Sequence, residues 1–169
     1  IYDTKQAAIA EGFIAIEAAR TAAGGGSLEE VHRAAEKTRK NVGIAVAFET
    51  LEYLALGGRI GKASYLLGNL IDIKPIITLD GEGLVAPIGR TRGTSNALKA
   101  IIDYVEHASA GRRRLTVAIM DADAADQAGE LEAMTIDRLR PDEILRTTIT
   151  PVMGAHTGPG LVGLGYYYT

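Results

Sequence analysis

The sequence predicts an α/β fold, in which a mixed β-sheet carries flanking helices. Along most of the chain, segments with apolar residues at helical spacing alternate with short apolar runs of strand length. One hairpin pattern interrupts this alternation, where two short strands are joined by Asp80-Gly81-Glu82-Gly83. The 169 residues are 47% hydrophobic, which is enough to bury a core in one or two domains.

The first helix is predicted over residues 3–23. Asp3 or Thr4 can cap its first turn, and apolar side chains recur on one face at helical spacing. Three glycines at 24–26 end the helix, because glycine tolerates the left-handed backbone that a helix C-terminus often needs.

A second helix is predicted to begin at a capping box. Ser27 and Glu30 have the required spacing, at which each side chain can accept a hydrogen bond from the other's backbone amide. The apolar spacing that follows places Leu28 on the inward face and ends the helix near Arg39.

The middle of the chain predicts a strand followed by two short helices. Residues 42–48 are apolar at alternate positions, and a domain boundary is expected just before them. Within residues 49–75, a helix ends at Gly57-Gly58, a second helix follows, and a buried strand is entered through Pro75. The second helix is predicted from four apolar residues at helical spacing, Ile60, Ala63, Leu67 and Leu70.

Arg59 is placed between glycines at the start of that second helix. A cation at the N-terminus of a helix is repelled by the positive end of the helix dipole, and a bound anion would offset this repulsion. Arg59 is therefore either an anion-binding residue or a solvated surface residue. A phosphate-binding P-loop is excluded at this corner. Leu56 stands where the P-loop requires its first glycine, Ala63 follows Lys62 where it requires Ser or Thr, and the corner follows a helix.

The second half of the chain continues the alternation of helices and strands. Asp121 and Asp123 can cap the helix that ends near Leu139, and the three tyrosines 166–168 are expected mainly to pack in the core. The predicted elements are hairpin strands at 76–79 and 84–88, a helix capped by Thr94, a strand at 115–120, a helix to Leu139, and strands at 144–150 and 161–168.

His156 is the histidine best placed for a functional role. It lies in a predicted loop, residues 154–160, whose glycines allow the backbone to approach a ligand closely. Histidine can donate a hydrogen bond to a carboxylate or exchange a proton near neutral pH. We therefore predict an anion site in which Arg59 and His156 approach each other across a pocket.

Composition and missing motifs narrow the function. With 18 basic and 21 acidic residues, the net charge of −3 gives no reason to expect nucleic acid or an anionic membrane surface as a partner. The absence of cysteine is compatible with a reducing cytoplasm, and no apolar run approaches the length of a membrane span. GxSxG, HExxH and Cys/His clusters are also absent, so neither a metal nor a hydrolytic residue is expected.

Two motifs resemble those of a known family. The central segment of the DegV family of bacterial fatty-acid-binding proteins resembles LEYLALGGRIGKASYLLGNLIDIKPIITLDGEGLVAPIGRTR, and its closing motif resembles GAHTGPGLVGLGYYY. The resemblance runs over residues 1–169 and covers the second part of a family member. It implies that residues 1–41 are the C-terminal remnant of a truncated N-terminal α/β domain and that residues 42–169 form the family's C-terminal domain.

The resemblance also implies a function. Family members hold a long-chain fatty acid in an apolar tunnel and present its carboxylate to a separate ATP-dependent kinase, which makes an acyl phosphate. Carried over by motif, the head group would be contacted by Gly58, Arg59, His156, Thr157 and Gly158. The hydroxyl residues that bind the carboxylate directly in the family belong to its N-terminal domain, upstream of this sequence.

The implied protein is a cytoplasmic carrier subunit rather than an enzyme. It would need no cofactor besides the bound fatty acid, and it would have no stable membrane insertion. Two alternatives stay open from the residues themselves. One is a small-molecule α/β enzyme with His156 as the acid–base group, and the other is a structural or interaction domain in which both glycine corners are only turns.

Overall fold

The chain folds into a six-stranded mixed sheet with helices on both faces, in a computed structural model that describes residues 1–67 and 72–169. The elements in chain order are α1 (Ala8–Ala23), α2 (Leu28–Arg39), β1 (Val42–Ala47), α3 (Glu52–Leu56), a 3₁₀-helix (Gly61–Leu66), β2 (Ile73–Leu79), β3 (Val85–Arg92), α4 (Thr94–Ala108), β4 (Leu115–Ala122), α5 (Ala125–Arg138), β5 (Glu143–Thr148), α6 (Pro151–Thr157) and β6 (Leu161–Tyr168). The predicted fold class is confirmed.

The strands lie in the order β3-β2-β1-β6-β4-β5. The β4–β5 pair is parallel and the other four pairs are antiparallel, which makes the sheet mixed. The hairpin predicted around residues 80–83 joins β2 to β3, and the Asp80 carboxylate accepts hydrogen bonds from the amides of Glu82 and Leu84.

One face of the sheet, the α4 face, packs against α4 and α5. Leu98, Ile101, Ile102 and Val105 are fully buried there, as their helical spacing predicts. Tyr166 belongs to the same core and lies near Tyr104, so its predicted packing role is confirmed, and burial raises the pKa of its hydroxyl.

The opposite face, the α1 face, packs against α1, α3 and the 3₁₀-helix, and α6 packs against α3. α1 lies on β1 and β6, where Gly165 has no side chain and leaves room for Ile9. The apolar residues on this face form a second core cluster that includes Ile44, Val46, Phe48, Leu54 and Ile77. A candidate site is built on this face.

The predicted start of the first helix is wrong. α1 begins at Ala8, after the N-cap residue Ala7, whose side chain makes no capping hydrogen bond. Asp3 instead accepts a hydrogen bond from the Lys5 amide, and the Thr4 hydroxyl accepts one from the Gln6 amide. These local turns use the side chains that could have capped the helix.

The predicted capping box of α2 is confirmed, but the predicted inward position of Leu28 is wrong. The Ser27 amide donates to Glu30 Oε2 at 2.7 Å, and the Glu30 amide donates to Ser27 Oγ at 3.3 Å. Leu28, predicted to face inward, is 83% exposed. It occupies the first helical position, and the buried residues of the helix, Ala35 and Thr38, lie two turns later.

The helix predicted after Arg59 is a 3₁₀-helix. Gly61 has a φ of 53° at its first position, so an α-helix cannot run through this position. Ala63 is buried as predicted, whereas Leu67 is 44% exposed. The predicted core position of Leu70 lies outside the described residues.

The starts of two further helices differ from the prediction. Gly93, with a φ of 78°, is the N-cap of α4 in place of Thr94. Ala124 is the N-cap of α5, and its amide donates to Asp121 Oδ2, so Asp121 and Asp123 do not cap this helix. β1 begins at Val42 where a domain boundary was predicted, and the division into two domains stays a prediction.

Candidate functional site

An apolar cavity of about 470 Å³ lies on the α1 face of the sheet. Four strands contribute much of its wall through Ile44, Val46, Ile77, Leu79, Val85 and Leu161. The polar side chains on the wall include those of Gln6, Arg59, His156 and Thr157. The cavity therefore combines a hydrocarbon-like interior with a few polar groups, which is the usual composition of a small-molecule site.

Arg59 reaches this wall from the turn that follows α3. The turn closes when the Arg59 amide donates to the Leu54 carbonyl at 2.8 Å, and Gly58 adopts a φ of 68°. A left-handed residue at this point is favourable only for glycine, as the sequence predicted. The exposed guanidinium bends back, and its Nη1 donates to the Gly57 carbonyl at 2.6 Å.

The same turn is attached to the β2–β3 hairpin. A Cβ at Gly61 would lie 2.5 Å from the Val85 carbonyl oxygen, so the backbones meet where only glycine fits. Lys62 forms an ion pair with Asp80 at 2.5 Å. This Lys62 contact, together with the amide of Leu84, holds the pKa of the Asp80 carboxyl below its usual range.

His156 lies on a helix and not in the loop that the sequence predicted. Pro151 is the first residue of α6, and the hydroxyl of the N-cap residue Thr150 accepts a hydrogen bond from the Met153 amide at 3.5 Å. These start signals override the helix-breaking tendency of Gly154. α6 ends at Gly158, whose φ is 73°, and His156 is half-buried in the last turn.

The two motif segments meet at Gly57. A Cβ at this position would lie 2.5 Å from His156 Nδ1, so the imidazole packs directly on the glycine backbone. Arg59 is hydrogen-bonded to the carbonyl of the same residue. The structure thus brings Arg59 and His156 to the wall of one cavity, although nearly a hundred positions separate them in sequence.

The other predicted ligand-binding residues differ in position. Gly58 and the buried Thr157 line the cavity, and the Thr157 hydroxyl donates to the Gly158 carbonyl. Gly158 lies outside the cavity wall and packs against the ring of Tyr53. The geometry gives Gly158 a packing role, and ligand contact by all five predicted residues stays a prediction.

Gln6 is a cavity residue that the sequence did not indicate. Its Oε1 atom is buried and has no hydrogen-bond partner among residues 1–67 and 72–169. Gln6 lies in the irregular segment before α1, where the sequence pattern predicts part of the helix itself. No local pattern marks it, because its neighbours in the cavity come from distant parts of the chain.

Neither a metal-binding cluster nor a membrane-spanning helix is found in the part of the chain that the structure describes. No three His, Cys, Asp or Glu side chains there are grouped so that they could hold a metal ion. Nor does that part contain a helix with both the length and the apolar character needed to cross a membrane.

Comparison with known proteins gives consistent matches over the whole chain. The family model described as an uncharacterised protein of the DegV family matches residues 1–169. A DegV domain-containing protein of Streptomyces coelicolor is 36% identical over 165 residues, which are 97% of this chain and 58% of that protein. A DegV domain-containing protein of Clostridium acetobutylicum is 35% identical, and the match covers 99% of this chain and 58% of that protein.

A solved structure agrees with these matches. A DegV family protein from Thermus thermophilus, described by its fatty acid binding, superposes with a TM-score of 0.92 at 32% identity. The match covers 99% of this chain and 60% of that protein. The chain therefore spans less than two thirds of the length of each of these relatives.

Proposed function

Because the chain belongs to the DegV family, we propose that it supplies the acyl-chain cavity of a protein that binds a long-chain fatty acid and presents the carboxylate to a partner kinase. The kinase would transfer a phosphoryl group from ATP to that carboxylate and form an acyl phosphate. The protein itself would act as a carrier in the cytoplasm and not as an enzyme.

The observation that carries this proposal is the apolar cavity with Arg59 and His156 on its wall. Its volume of about 470 Å³ falls within the range of about 300–1,000 Å³ that is usual for small-molecule sites. Each methylene group buried there would contribute about 0.8 kcal/mol, so a long acyl chain would supply most of the affinity.

The polar residues suit the head group of such a ligand. An ionised carboxylate is costly to bury unless hydrogen bonds or opposite charge compensate it. His156, half-buried against Gly57, would join the hydrogen bonds to the carboxylate. Arg59 is exposed, so its guanidinium would be accessible both to the carboxylate and to an incoming phosphoryl group.

The relatives support fatty acid binding and leave the kinase step to experiment. The Thermus thermophilus structure is described by its fatty acid binding, and this chain matches 60% of it. Binding is therefore proposed for the whole protein, in which the family resemblance implies that hydroxyl groups of an N-terminal domain complete the carboxylate site.

Native mass spectrometry of the protein purified from cells tests the proposal. We expect a mass increment that matches one fatty acid, and we expect acyl phosphate when ATP and the partner kinase are added. A protein that carries no fatty acid and takes up none when incubated with stearic acid would overturn the proposal. Binding without acyl phosphate would leave the carrier role and remove the presentation role.

A further inference from the structure

α3 and α6 meet through two reciprocal contacts, in each of which a ring lies on a glycine backbone. From α6, the His156 imidazole lies on Gly57, where an added Cβ would be 2.5 Å from Nδ1. From α3, the Tyr53 ring lies on Gly158, where an added Cβ would overlap carbons of that ring. Each ring thus occupies the space that a side chain would need on the opposite segment. We call these four residues the ring–glycine lock.

Tyr53 takes part in both halves of the ring–glycine lock. Its carbonyl accepts a hydrogen bond from the Gly57 amide at 2.9 Å, so the backbone under the imidazole is tied to the residue whose ring covers Gly158. Gly158 follows His156 by two residues and ends α6 with a φ of 73°. The Tyr53 ring therefore fixes the end of the helix that carries His156.

The position of α6 depends on its packing against α3. α6 has seven residues, and its main contact with another helix or strand is with α3. A helix of this length has little stability of its own and is held chiefly by tertiary packing. Loss of the Tyr53 ring would leave the end of α6 free to shift, and the imidazole would move with it.

Tyr53 itself does not contact the proposed ligand. It is 39% exposed and is not among the described residues that line the cavity. We propose that Tyr53 is a positioning residue, which holds the His156 imidazole at the cavity wall for the carboxylate. Its effect on activity rests on the function proposed above, whereas the contact that it maintains can be measured without ligand or kinase. The atoms that meet Gly158 are ring carbons, so phenylalanine should replace tyrosine here.

A nuclear Overhauser effect between His156 Hε1 and the Gly57 α-hydrogens tests the position of the imidazole. One of these hydrogens points to the Cβ position that lies 3.3 Å from His156 Cε1. We expect the signal in the unmodified protein and in Tyr53→Phe, and we expect its loss in Tyr53→Ala. Tyr65→Ala is the matched control, because it removes a 70% exposed ring from the neighbouring 3₁₀-helix and should keep the signal.

Acyl phosphate formation with the partner kinase and ATP tests the consequence for activity. We expect Tyr53→Ala to lower the rate about ten- to a hundredfold, because a small misplacement of a functional group can cost this much. Tyr53→Phe should retain the rate. In a His156→Ala background, Tyr53→Ala should cause no further fall, because a residue that acts through His156 then has nothing to position.

The outcomes separate the role of Tyr53 from the proposed function. Absence of the Overhauser signal in the unmodified protein, or its persistence in Tyr53→Ala, would overturn the positioning role and leave the function standing. A further fall in the His156→Ala background would also overturn that role, since Tyr53 would then act on the fold as a whole. If the unmodified protein binds no fatty acid, the proposed function fails, and the Overhauser signal still decides the role of Tyr53. Tyr53→Leu, which keeps apolar bulk without a flat ring, should lose the same signal and serves if the alanine variant does not fold.

Discussion

Gly57 is the residue at which the two motif segments touch. The His156 imidazole packs on its backbone, and the Arg59 guanidinium donates, among the described residues, only to its carbonyl. Gly57 has a φ of −77°, which any residue can adopt, so glycine is required here by space and not by backbone conformation.

Gly57→Ala should therefore displace His156 without straining the backbone. Because the added methyl group would lie 2.5 Å from the imidazole Nδ1, we expect acyl phosphate formation with the partner kinase to fall about ten- to a hundredfold. The unfolding free energy should fall by only about 1 kcal/mol, as for modest overpacking. Gly81→Ala is the control, because a Cβ there meets no atom within 4 Å. Full activity of Gly57→Ala would separate His156 from the function.

Arg59→Ala should separate carrying the ligand from presenting it. The apolar wall is unchanged in this variant, so we expect fatty acid to remain bound. Acyl phosphate formation should fall about a hundredfold or more, because a positive group near a transferring phosphoryl acts mainly in the transition state. Arg59→Lys should restore part of the rate, since lysine keeps the charge and loses the two-point hydrogen bonding.

The readouts for Arg59 are bound lipid by mass spectrometry and product formation with kinase and ATP. Arg33→Ala, which removes an exposed arginine on α2, should leave both unchanged. If lipid and activity fall in equal proportion in Arg59→Ala, the residue only holds the ligand. If neither falls, Arg59 is a surface residue without a part in the site.

At the scale of elements, the 3₁₀-helix is attached to the β2–β3 hairpin by the Lys62–Asp80 ion pair. The pKa of Asp80 is lowered in the folded protein, first by Lys62 and then by the turn amides. A carboxyl with a lowered folded-state pKa stabilises the fold at pH values above its unfolded pKa, near 3.8. That stability is lost as the pH falls from this value through the lower folded-state pKa.

Asp80→Asn should lower the thermal stability at neutral pH while the turn is retained. Asparagine keeps an oxygen that can accept from the amides of Glu82 and Leu84, and it removes the charge that pairs with Lys62. We expect the difference in Tm from the unmodified protein to vanish in acid, below the folded-state pKa. Glu82→Gln removes a charge from the same turn and should show no such pH-dependent difference. A Tm difference that persists unchanged in acid would contradict the ion-pair explanation.

The elements that the sequence predicted well are those fixed by neighbours within a few residues. The capping box of Ser27 and Glu30, the turn at Asp80 and the apolar face around Leu98 each depend on one short segment. For the same reason, the left-handed turn at Gly58 could be predicted from its two glycines.

The features that the sequence did not predict depend on contacts between distant segments. The backbone of Gly61 contacts Val85, 24 positions away in sequence. Gly61 is also the first residue of the segment that was predicted as a helix from its apolar spacing and that forms a 3₁₀-helix in the structure. His156 was predicted in a loop because its glycines outweighed the start signals of Thr150 and Pro151. No local sequence pattern marks Gln6 as a site residue, because the cavity that it lines is formed largely by distant segments.

At the scale of the whole molecule, α1 packs closely on the sheet at a position in β6 that has no side chain. Gly165 leaves the space that Ile9 occupies, so the helix lies close to the strands that form the floor of the cavity. The position of the segment that carries Gln6 therefore depends on how closely α1 approaches β6.

Gly165→Ala should push α1 from the sheet and lower the unfolding free energy by about 1–3 kcal/mol, the usual cost of overpacking. Ile9→Ala removes the atom that the new methyl group would meet, so the double variant should cost less than the sum of the two single variants. Denaturant unfolding of the four proteins measures this coupling. Additive costs would show that Ile9 and Gly165 are not in contact.

Gly129→Ala is an informative control for this pair. Gly129 lies within α5, and a Cβ there meets no atom within 4 Å. Alanine is favoured over glycine inside a helix, so this variant should raise the unfolding free energy by about 0.5–1 kcal/mol. The same substitution should thus have opposite signs at positions 129 and 165.

The central position of β6 has a consequence for how the protein is made. β6 is the last of the six strands to leave the ribosome, yet it lies between β1 and β4 and is hydrogen-bonded to both. Until residues 161–168 emerge, the β1-β2-β3 unit and the β4-β5 unit have no strand to join them, and each exposes an unpaired edge to other chains. We therefore expect the two halves of the sheet to close around β6 only after it has been synthesised, and the unpaired edges to favour aggregation until then.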